Sequence, residues 1–474
     1  MFSEVNVKVE DGNLGRSSIT SRNAQVKIGV SGVMSSIPLL ITGMMKPDEI
    51  REKLGNTPLA DACIDATENG LSTIYAIPVK ADVNGSKGEV THTGTGSGTL
   101  DVSGNPNNAY DIVIKIKKGG KANTGSFKCS VDGGNSFLDE TTIPLSLKYE
   151  IPGTGLAVTF TNGSSETAYV EGDVYSFATT APGLNNNTVL KAVEMLTTFN
   201  KNVEICHIVG TSAKALWAAL QSKAEELLNV YKKPVIFLLE GRRCGKSESV
   251  DEYLLAMENE RKGITSKYLC VVPSYGIYTR KDLRTQEVNF AGLISGLIGK
   301  AKESLSIGCV EEFPISSAKL IKLVPEGIEN YSRQLDELGY TVLRQYVGKD
   351  DFYVSNGNVM SKPGSDFPYV ESVRVLNRIV REVSMKATDK VQTEIDPENL
   401  ESSIKVIEAY LNIAVEECEN DKIISSGEVS INTEGLNILA DETLNVSATW
   451  VPMGTARRFN LSFAVSNPAA QGGE

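Results

Sequence analysis

Histidine and clustered cysteine, the side chains from which most transition-metal sites are built, are scarce in this sequence. His92 and His207 are the two histidines among 474 residues. Seven cysteines are spread along the chain without a Cys-x-x-Cys pair, so a zinc site has no ligand set. We therefore expect no metal and no cofactor, and the odd number of dispersed cysteines favours reduced, buried thiols.

A long apolar run is missing as well. Apolar patches such as the short stretch from Ile37 to Ile41 are far below the roughly eighteen residues that a membrane span needs. The first ten residues alternate apolar and polar side chains and lack the basic start and apolar centre of a secretory signal. The sequence predicts a protein without a membrane span that stays inside the cell that makes it.

An excess of basic residues is also lacking. Lys and Arg number 47 against 59 Asp and Glu, which gives a formal charge of -12. Binding to a phosphate backbone normally depends on Lys and Arg, so nucleic acid is not expected as a partner. Apolar residues make up 41% and charged residues 22%, a composition typical of globular domains.

Changes in composition divide the chain into four parts. Residues 1–80 show strand patterns and a helix pattern, whereas residues 81–182 are rich in Gly, Asn, Ser and Thr. Short alternating runs in the second part, such as Tyr110 to Ile116, are separated by turn signals and predict an inserted all-β sandwich or barrel. Residues 183–345 alternate helix and strand patterns, and residues 346–474 contain two long helices followed by strands.

The third part predicts the core of the fold. Apolar strand patterns at Val203 to Val209, Val235 to Leu239 and Tyr268 to Val272 are separated by helical patterns. This alternation indicates a partly parallel sheet flanked by helices. The predicted fold class is thus α/β (α+β) and multi-domain, with a mixed β-sheet core, flanking helices and an inserted all-β domain.

One loop resembles a nucleotide-binding motif. Gly241 to Ser247 lies between a predicted strand and a predicted helix, but three residues separate its first glycine from the Gly-Lys pair, one fewer than a P-loop requires. A plain strand-to-helix loop with Ser247 as the helix N-cap is the first interpretation. A nucleotide-binding α/β enzyme that uses this loop is the alternative function.

No residue is predicted to be catalytic, and we expect a protein that is not an enzyme. His207 follows Cys206 in an apolar strand, but neighbouring strand residues point to opposite faces of a sheet. A core histidine with satisfied hydrogen bonds is therefore favoured over a Cys–His nucleophile pair.

Two long helical patterns near the C-terminus separate their side chains by face. In the pattern from Pro368 to Lys390, the apolar stripe consists of Val373, Leu376, Val380, Val383 and Ala387. The opposite, basic side consists of Arg374, Arg378 and Arg381, either a binding face or merely a solvated one. In the next helix, the stripe predicted to pack on the core consists of Leu400, Ile404, Ile407, Leu411, Ala414 and Cys418.

Two stretches resemble the sheath proteins of contractile phage tails. Gly339 to Gly357 reads as a strand, a short turn and a strand that ends in Asn-Gly, and Ser365 to Arg381 reads as an aromatic-led segment that opens an arginine-bearing helix. Val272 to Ile277 and Asn289 to Ile298 are more weakly similar to the sheath core. The resemblance covers about residues 1–80 and 185–474, and the insertion at 81–182 departs from the minimal sheath.

The resemblance, which extends to R-type bacteriocins and related contractile injection systems, implies a structural subunit. Sheath subunits polymerise as stacked hexameric rings around an inner tail tube and contract to drive the tube through a target cell envelope. The implied partners are other copies of the chain, the inner tail tube protein, and baseplate and tail terminator proteins. The implied location is the bacterial cytoplasm during assembly and then the virion tail or a released particle.

The resemblance also assigns roles to particular residues. It places Arg374, Arg378 and Arg381 against the inner tube. Both chain ends alternate apolar and polar residues, as strands that complete another copy's sheet would, although pairing within their own subunit is the alternative. The residues of these inter-subunit arms are Val5, Val7, Val9, Phe459, Leu461, Phe463 and Val465. An adhesive surface protein is a third interpretation, suggested by the insertion and disfavoured by the missing signal.

Overall fold

The computed structural model describes residues 23–161 and 168–465. The predicted N-terminal arm residues Val5, Val7 and Val9 lie outside these ranges. The chain forms two compact units that divide between Thr388 and Asp389, and each unit is described by itself.

The first unit opens with strands and two short helices. In chain order these elements are β1 (Gln25–Val30), β2 (Leu39–Thr42), α1 (Pro47–Leu54), α2 (Pro58–Glu68) and β3 (Thr73–Val79). Both helices begin at a proline, which is tolerated there because the first N–H of a helix has no partner within it. α2 is buried along most of its length.

An all-antiparallel segment follows β3. Its strands are β4 (Thr91–Thr93), β5 (Thr99–Gly104), β6 (Asp111–Lys118), β7 (Ser126–Ser130), β8 (Thr141–Thr142), β9 (Lys148–Ile151), β10 (Leu156–Thr161) and β11 (Val174–Ala178). They form two sheets with the strand orders β5-β10-β9 and β4-β11-β6-β7-β8. Inward residues at every second position, such as Ile112, Ile114 and Ile116, give this segment a hydrophobic core of its own.

Helices and strands then alternate. In order they are α3 (Asn186–Val193), α4 (Met195–Thr198), β12 (Ile205–Thr211), α5 (Lys214–Asn229), β13 (Ile236–Glu240), α6 (Val250–Arg261) and β14 (Leu269–Val272). The unit is completed by β15 (Tyr275–Thr279), β16 (Thr285–Asn289), α7 (Ala291–Lys300), β17 (Leu320–Val324), a 3₁₀ helix (Ile328–Tyr331), α8 (Ser332–Glu337), β18 (Leu343–Gln345), β19 (Phe352–Val354) and α9 (Val370–Thr388).

The central sheet has the strand order β14-β13-β12-β1-β3-β2. Its neighbours pair in parallel, except that β2 runs antiparallel to β3. The middle strands are apolar without alternation because both of their faces are covered, as in β13, where Ile236 to Leu239 are fully buried. The predicted mixed, partly parallel sheet flanked by helices is confirmed.

The second unit is built from α10 (Leu400–Asn420), β20 (Ile424–Asn432), α11 (Ile438–Asp441) and β21 (Asn445–Pro452). β20 and β21 form a two-stranded antiparallel sheet, and α10 packs against β20. From Ile404 to Cys418, the predicted α10 stripe is buried as expected. A mixed sheet with helices and separate antiparallel sheets confirms the predicted fold class.

Candidate assembly surfaces and the arginine helix

Helix α9 carries the three arginines that the sequence predicted on one basic face. Arg374 is only 1% exposed. Its guanidinium donates two hydrogen bonds to the Glu204 carboxylate, from Nε at 2.6 Å and from Nη2 at 3.1 Å. Its Nη1 also donates to the carbonyl of Ala301 at 3.1 Å. Arg374 thus fastens α9 to the residue before β12 and to the residue after α7.

Arg378 is also inside the protein. It is 3% exposed and forms ion pairs with Glu382 at 3.0 Å and with Glu303 at 4.0 Å. The prediction that Arg374 and Arg378 line an accessible basic face was therefore wrong. Helical periodicity shows which residues share a face but not which face meets the core, and the buried partner Glu204 makes an arginine-bearing face compatible with the interior.

Arg381 differs from the other two because it is half-buried and borders a cleft. The cleft has a volume of about 110 Å³. Its lining consists of Leu196, Phe199, Asn200, Lys201, Asn202, Val203, Lys232, Lys233, Pro234, Val235 and Arg381. Among the residues that the structure describes, the Arg381 guanidinium donates one long hydrogen bond, of 3.5 Å, to the carbonyl of Val203. Burial lowers the pKa of this guanidinium, which nevertheless stays charged.

The C-terminal segment after β21 presents apolar side chains to solvent. Phe459, Leu461, Phe463 and Val465 are 77%, 74%, 90% and 101% exposed. The described part of this segment, residues 453–465, carries no strand pairing, so the alternative of pairing within its own subunit is not observed for these residues. Large apolar side chains at every second position are suited to a strand that pairs with the sheet of another chain.

The edge strand β2 is another exposed apolar surface. Ile37, Leu40 and Met44 are solvent-exposed at this end of the central sheet. The Lys53 ammonium donates to the carbonyl of Leu40 at 3.3 Å, which occupies one backbone acceptor of the edge. The sequence contained a signal for this surface in the apolar stretch from Ile37 to Ile41, but the pattern did not indicate that Ile37 and Leu40 are exposed while Ile41 is fully buried.

The loop from Gly241 to Ser247 is filled by the chain's own carboxylates. Glu248 accepts hydrogen bonds from the Arg242 guanidinium, at 2.6 and 2.8 Å, and from the Gly245 N–H at 2.8 Å. Ser249, not the predicted Ser247, is the N-cap of α6, and Glu252 completes a capping box there. Two donors that a phosphate could use here, the Arg242 guanidinium and the Gly245 N–H, are thus already occupied, which disfavours phosphate binding at this helix start.

His207 is a core histidine with satisfied hydrogen bonds, as the sequence predicted. Its Nδ1 lies 2.8 Å from the Lys27 ammonium and its Nε2 lies 3.2 Å from a Glu240 oxygen. Burial holds the pKa of His207 well below its usual value and raises the pKa of Glu240 to about 7. Burial also raises the pKa of the neighbouring Cys206 thiol, which is the opposite of what a nucleophile needs.

The described residues contain no other grouping that suggests metal or membrane chemistry. Within residues 23–161 and 168–465, no three His, Cys, Asp or Glu side chains are arranged to hold a metal ion. None of the helices in that part of the chain is long and apolar enough to cross a membrane. All seven cysteines are free thiols.

Comparison with solved structures defines the class to which the fold belongs. The helical sheath of the anti-feeding prophage in its contracted state matches with a TM-score of 0.55 and 9% identity, over 98% of this chain and 99% of that chain. The sheath complex of PVC, an extracellular contractile injection system, in its contracted state matches with a TM-score of 0.51 and 11% identity, over 98% of both chains. A sheath tail protein from Desulfitobacterium hafniense matches with a TM-score of 0.48 and 13% identity, over 95% of this chain and 100% of that chain. The fold is that of the contractile sheath proteins, as the sequence resemblance predicted.

The chain belongs to the DUF2586 family. Residues 2–358 match the DUF2586 N-terminal domain and residues 366–470 match the DUF2586 C-terminal domain. None of the curated proteins matches the chain.

Proposed function

We propose that this chain is a structural subunit of a contractile sheath, assembled from many copies and acting without a chemical reaction. The observation that carries the proposal is the exposed alternation of Phe459, Leu461, Phe463 and Val465 in a chain with a sheath fold. Large apolar side chains that remain in water are usually covered by a partner. In this proposal the partner is another copy of the chain.

The β20–β21 sheet is the acceptor that we propose for the donated segment. Two strands alone make a marginal sheet, and β21 leaves Val446 and Val451 exposed. Addition of a strand extends the sheet with about five backbone hydrogen bonds, each worth about 0.5–1.5 kcal/mol net. A single joint is therefore weak, whereas a lattice of many joints is strong and can rearrange without losing its connections.

The architecture of the assembly is a further part of the proposal. Stacked hexameric rings around an inner tube, and contraction to a shorter and wider lattice, are supported by likeness to sheaths that were determined in the contracted state. A similar chain also occurs in the six-fold symmetrised baseplate of the anti-feeding prophage, with a TM-score of 0.51. Subunits would move largely as rigid bodies, with their terminal segments as hinges.

The proposed partners are other copies, an inner tail tube protein, and baseplate and terminator proteins. The tube is proposed on the sheath resemblance, because Arg374 and Arg378 are occupied inside the fold and no longer support a direct tube contact. The proposed location is the cytoplasm of the producing bacterium during assembly and then the tail or the released particle.

Electron microscopy of the purified full-length chain tests this function. We expect hollow tubes from the wild type and dispersed particles from a Leu461→Asp, Phe463→Asp variant, whose charges oppose burial against another copy. Val406→Asp is the matched control, because Val406 is an exposed apolar residue of α10. Dispersed wild-type protein at high concentration, or normal tubes from the double variant, would contradict the proposal.

A further inference from the structure

The cleft beside Arg381 has more positive charge than its own surroundings neutralise. The nearby carboxylate of Glu204 is held by Arg374 at 2.6 Å, and Glu303 and Glu382 lie against Arg378. The described lining of the cleft itself contains Arg381 and three lysines but no carboxylate. Arg374 and Arg378 add two positive charges to the three negative charges of these carboxylates. The cleft therefore has a formal excess of three positive charges.

The three lysines are not equivalent. The Lys233 ammonium donates to the carbonyls of Leu196, Thr197 and Phe199, at 3.2, 2.7 and 2.7 Å, so its donors are used within the fold. Lys201 and Lys232 are exposed at the rim, and the Lys232 ammonium uses one of its three donors on the carbonyl of Asn229, at 2.6 Å. Arg381 and these two rim lysines are the cations that are available to a ligand.

The form of the site indicates the kind of anion. A guanidinium binds a carboxylate with two parallel hydrogen bonds, and Arg381 has donors to spare. A volume of about 110 Å³ admits a carboxylate and a few waters. An extended polyanion is disfavoured, because the whole chain carries a charge of -12.

We propose that this cleft binds the acidic segment Glu394–Glu398 of a second copy of the chain. Glu394, Asp396 and Glu398 alternate along this segment, and all three are exposed. The Asp396 carboxylate also accepts hydrogen bonds from the Glu398 N–H at 2.9 Å and from the Asn399 side chain at 2.7 Å. They begin a region, residues 391–421, that holds nine acidic residues against one lysine. The inference rests on the proposed self-assembly and adds a second contact to it, one that is ionic and distinct from strand addition.

The contact joins two different surfaces of the same chain. Such a heterologous contact propagates into rings or helical arrays instead of closing into a pair, which is the geometry that a sheath requires. It also makes assembly sensitive to salt, because exposed charges at the rim are screened.

A charge-swap experiment on the full-length chain tests the proposal. The critical concentration for tube formation is measured by sedimentation at low and at high salt. We expect Arg381→Glu to raise it about tenfold, and Lys232→Glu, which changes an exposed residue, to raise it about fivefold. Replacement of Glu394 and Glu398 by lysine, which keeps the Asp396 turn, should have a similar effect, and the combination with Arg381→Glu should recover much of the loss. Lys117→Glu, an exposed lysine of β6, is the control for net charge.

The outcomes separate this inference from the proposed function. Wild-type protein that forms no tubes overturns the proposed function. Tubes whose critical concentration is unaffected by Lys232→Glu and by the acidic-segment variant overturn the cleft assignment and leave the proposed function standing. If the Arg381 and Lys232 variants form normal tubes but lose only an added inner-tube protein, the occupant is that protein and the present proposal is wrong.

Discussion

The buried pair of Arg374 and Glu204 allows a quantitative prediction about stability. Both side chains are almost completely removed from solvent, at 1% and 0% exposure. Replacement of Arg374 by methionine keeps much of its volume but leaves the carboxylate of Glu204 buried without its partner. Loss of one member of a buried pair costs about 3–5 kcal/mol, a large part of the stability of most domains.

The companion variant isolates the electrostatic cause. Arg374→Met combined with Glu204→Leu removes both charges, and replacement of a buried pair by apolar residues is often close to neutral. We therefore expect the double variant to recover most of the loss, to within about 2 kcal/mol of the wild type. The remaining deficit includes the hydrogen bond that Arg374 donates to the Ala301 carbonyl.

Urea unfolding monitored by circular dichroism measures these differences. It is best done on the dispersed Leu461→Asp, Phe463→Asp background, so that assembly does not add to the apparent stability. Lys117→Met, an exposed change in β6, should stay within about 0.5 kcal/mol. If Arg374→Met alone stays within that same margin, or if the double variant is no better than the single one, the ion pair does not hold α9 in place.

Further predictions concern other buried groups. Burial raises the pKa of Glu240 from 4.5 to about 7, so its neutral form stabilises the fold; this contribution is complete below pH 4.5 and is lost as the pH rises through about 7. The stability advantage of wild type over Glu240→Gln should therefore shrink by on the order of 2 kcal/mol between acidic and mildly alkaline pH, and equal pH profiles in urea unfolding would contradict this. Arg280→Met should destabilise the protein by about 3–5 kcal/mol, because Arg280 is buried and its Nε lies 2.5 Å from Asp65; an unchanged urea midpoint would show that the pair is dispensable. Lys246→Met should leave assembly unchanged in electron microscopy, because the loop around it is filled by Glu248. A loss of tubes would contradict this and would favour a binding role for the loop.

Local patterns predicted those elements in which a single physical preference dominates. The sequence segments of β12, β13 and β14 are apolar without alternation, because a central strand is covered on both faces. Their pattern therefore identified them as buried strands. The stripe from Ile404 to Cys418 was found for a similar reason, since one side of α10 packs on β20. The predicted N-cap of α6, Ser247, lies two residues before the observed N-cap, Ser249. Both serines are suitable caps, but the Glu252 carboxylate forms a capping box with Ser249 and so favours it.

The amino-acid sequence by itself determined the class of fold and the alternating apolar C-terminal segment, because composition and periodicity are local properties. Only the tertiary structure decided which face of α9 lies inside, because the partner Glu204 is 170 residues away from Arg374 along the chain. It likewise decided that Arg381 borders a cleft with lysines from two other segments. Contacts between distant residues depend on how the elements pack, and the periodicity of the sequence does not predict them.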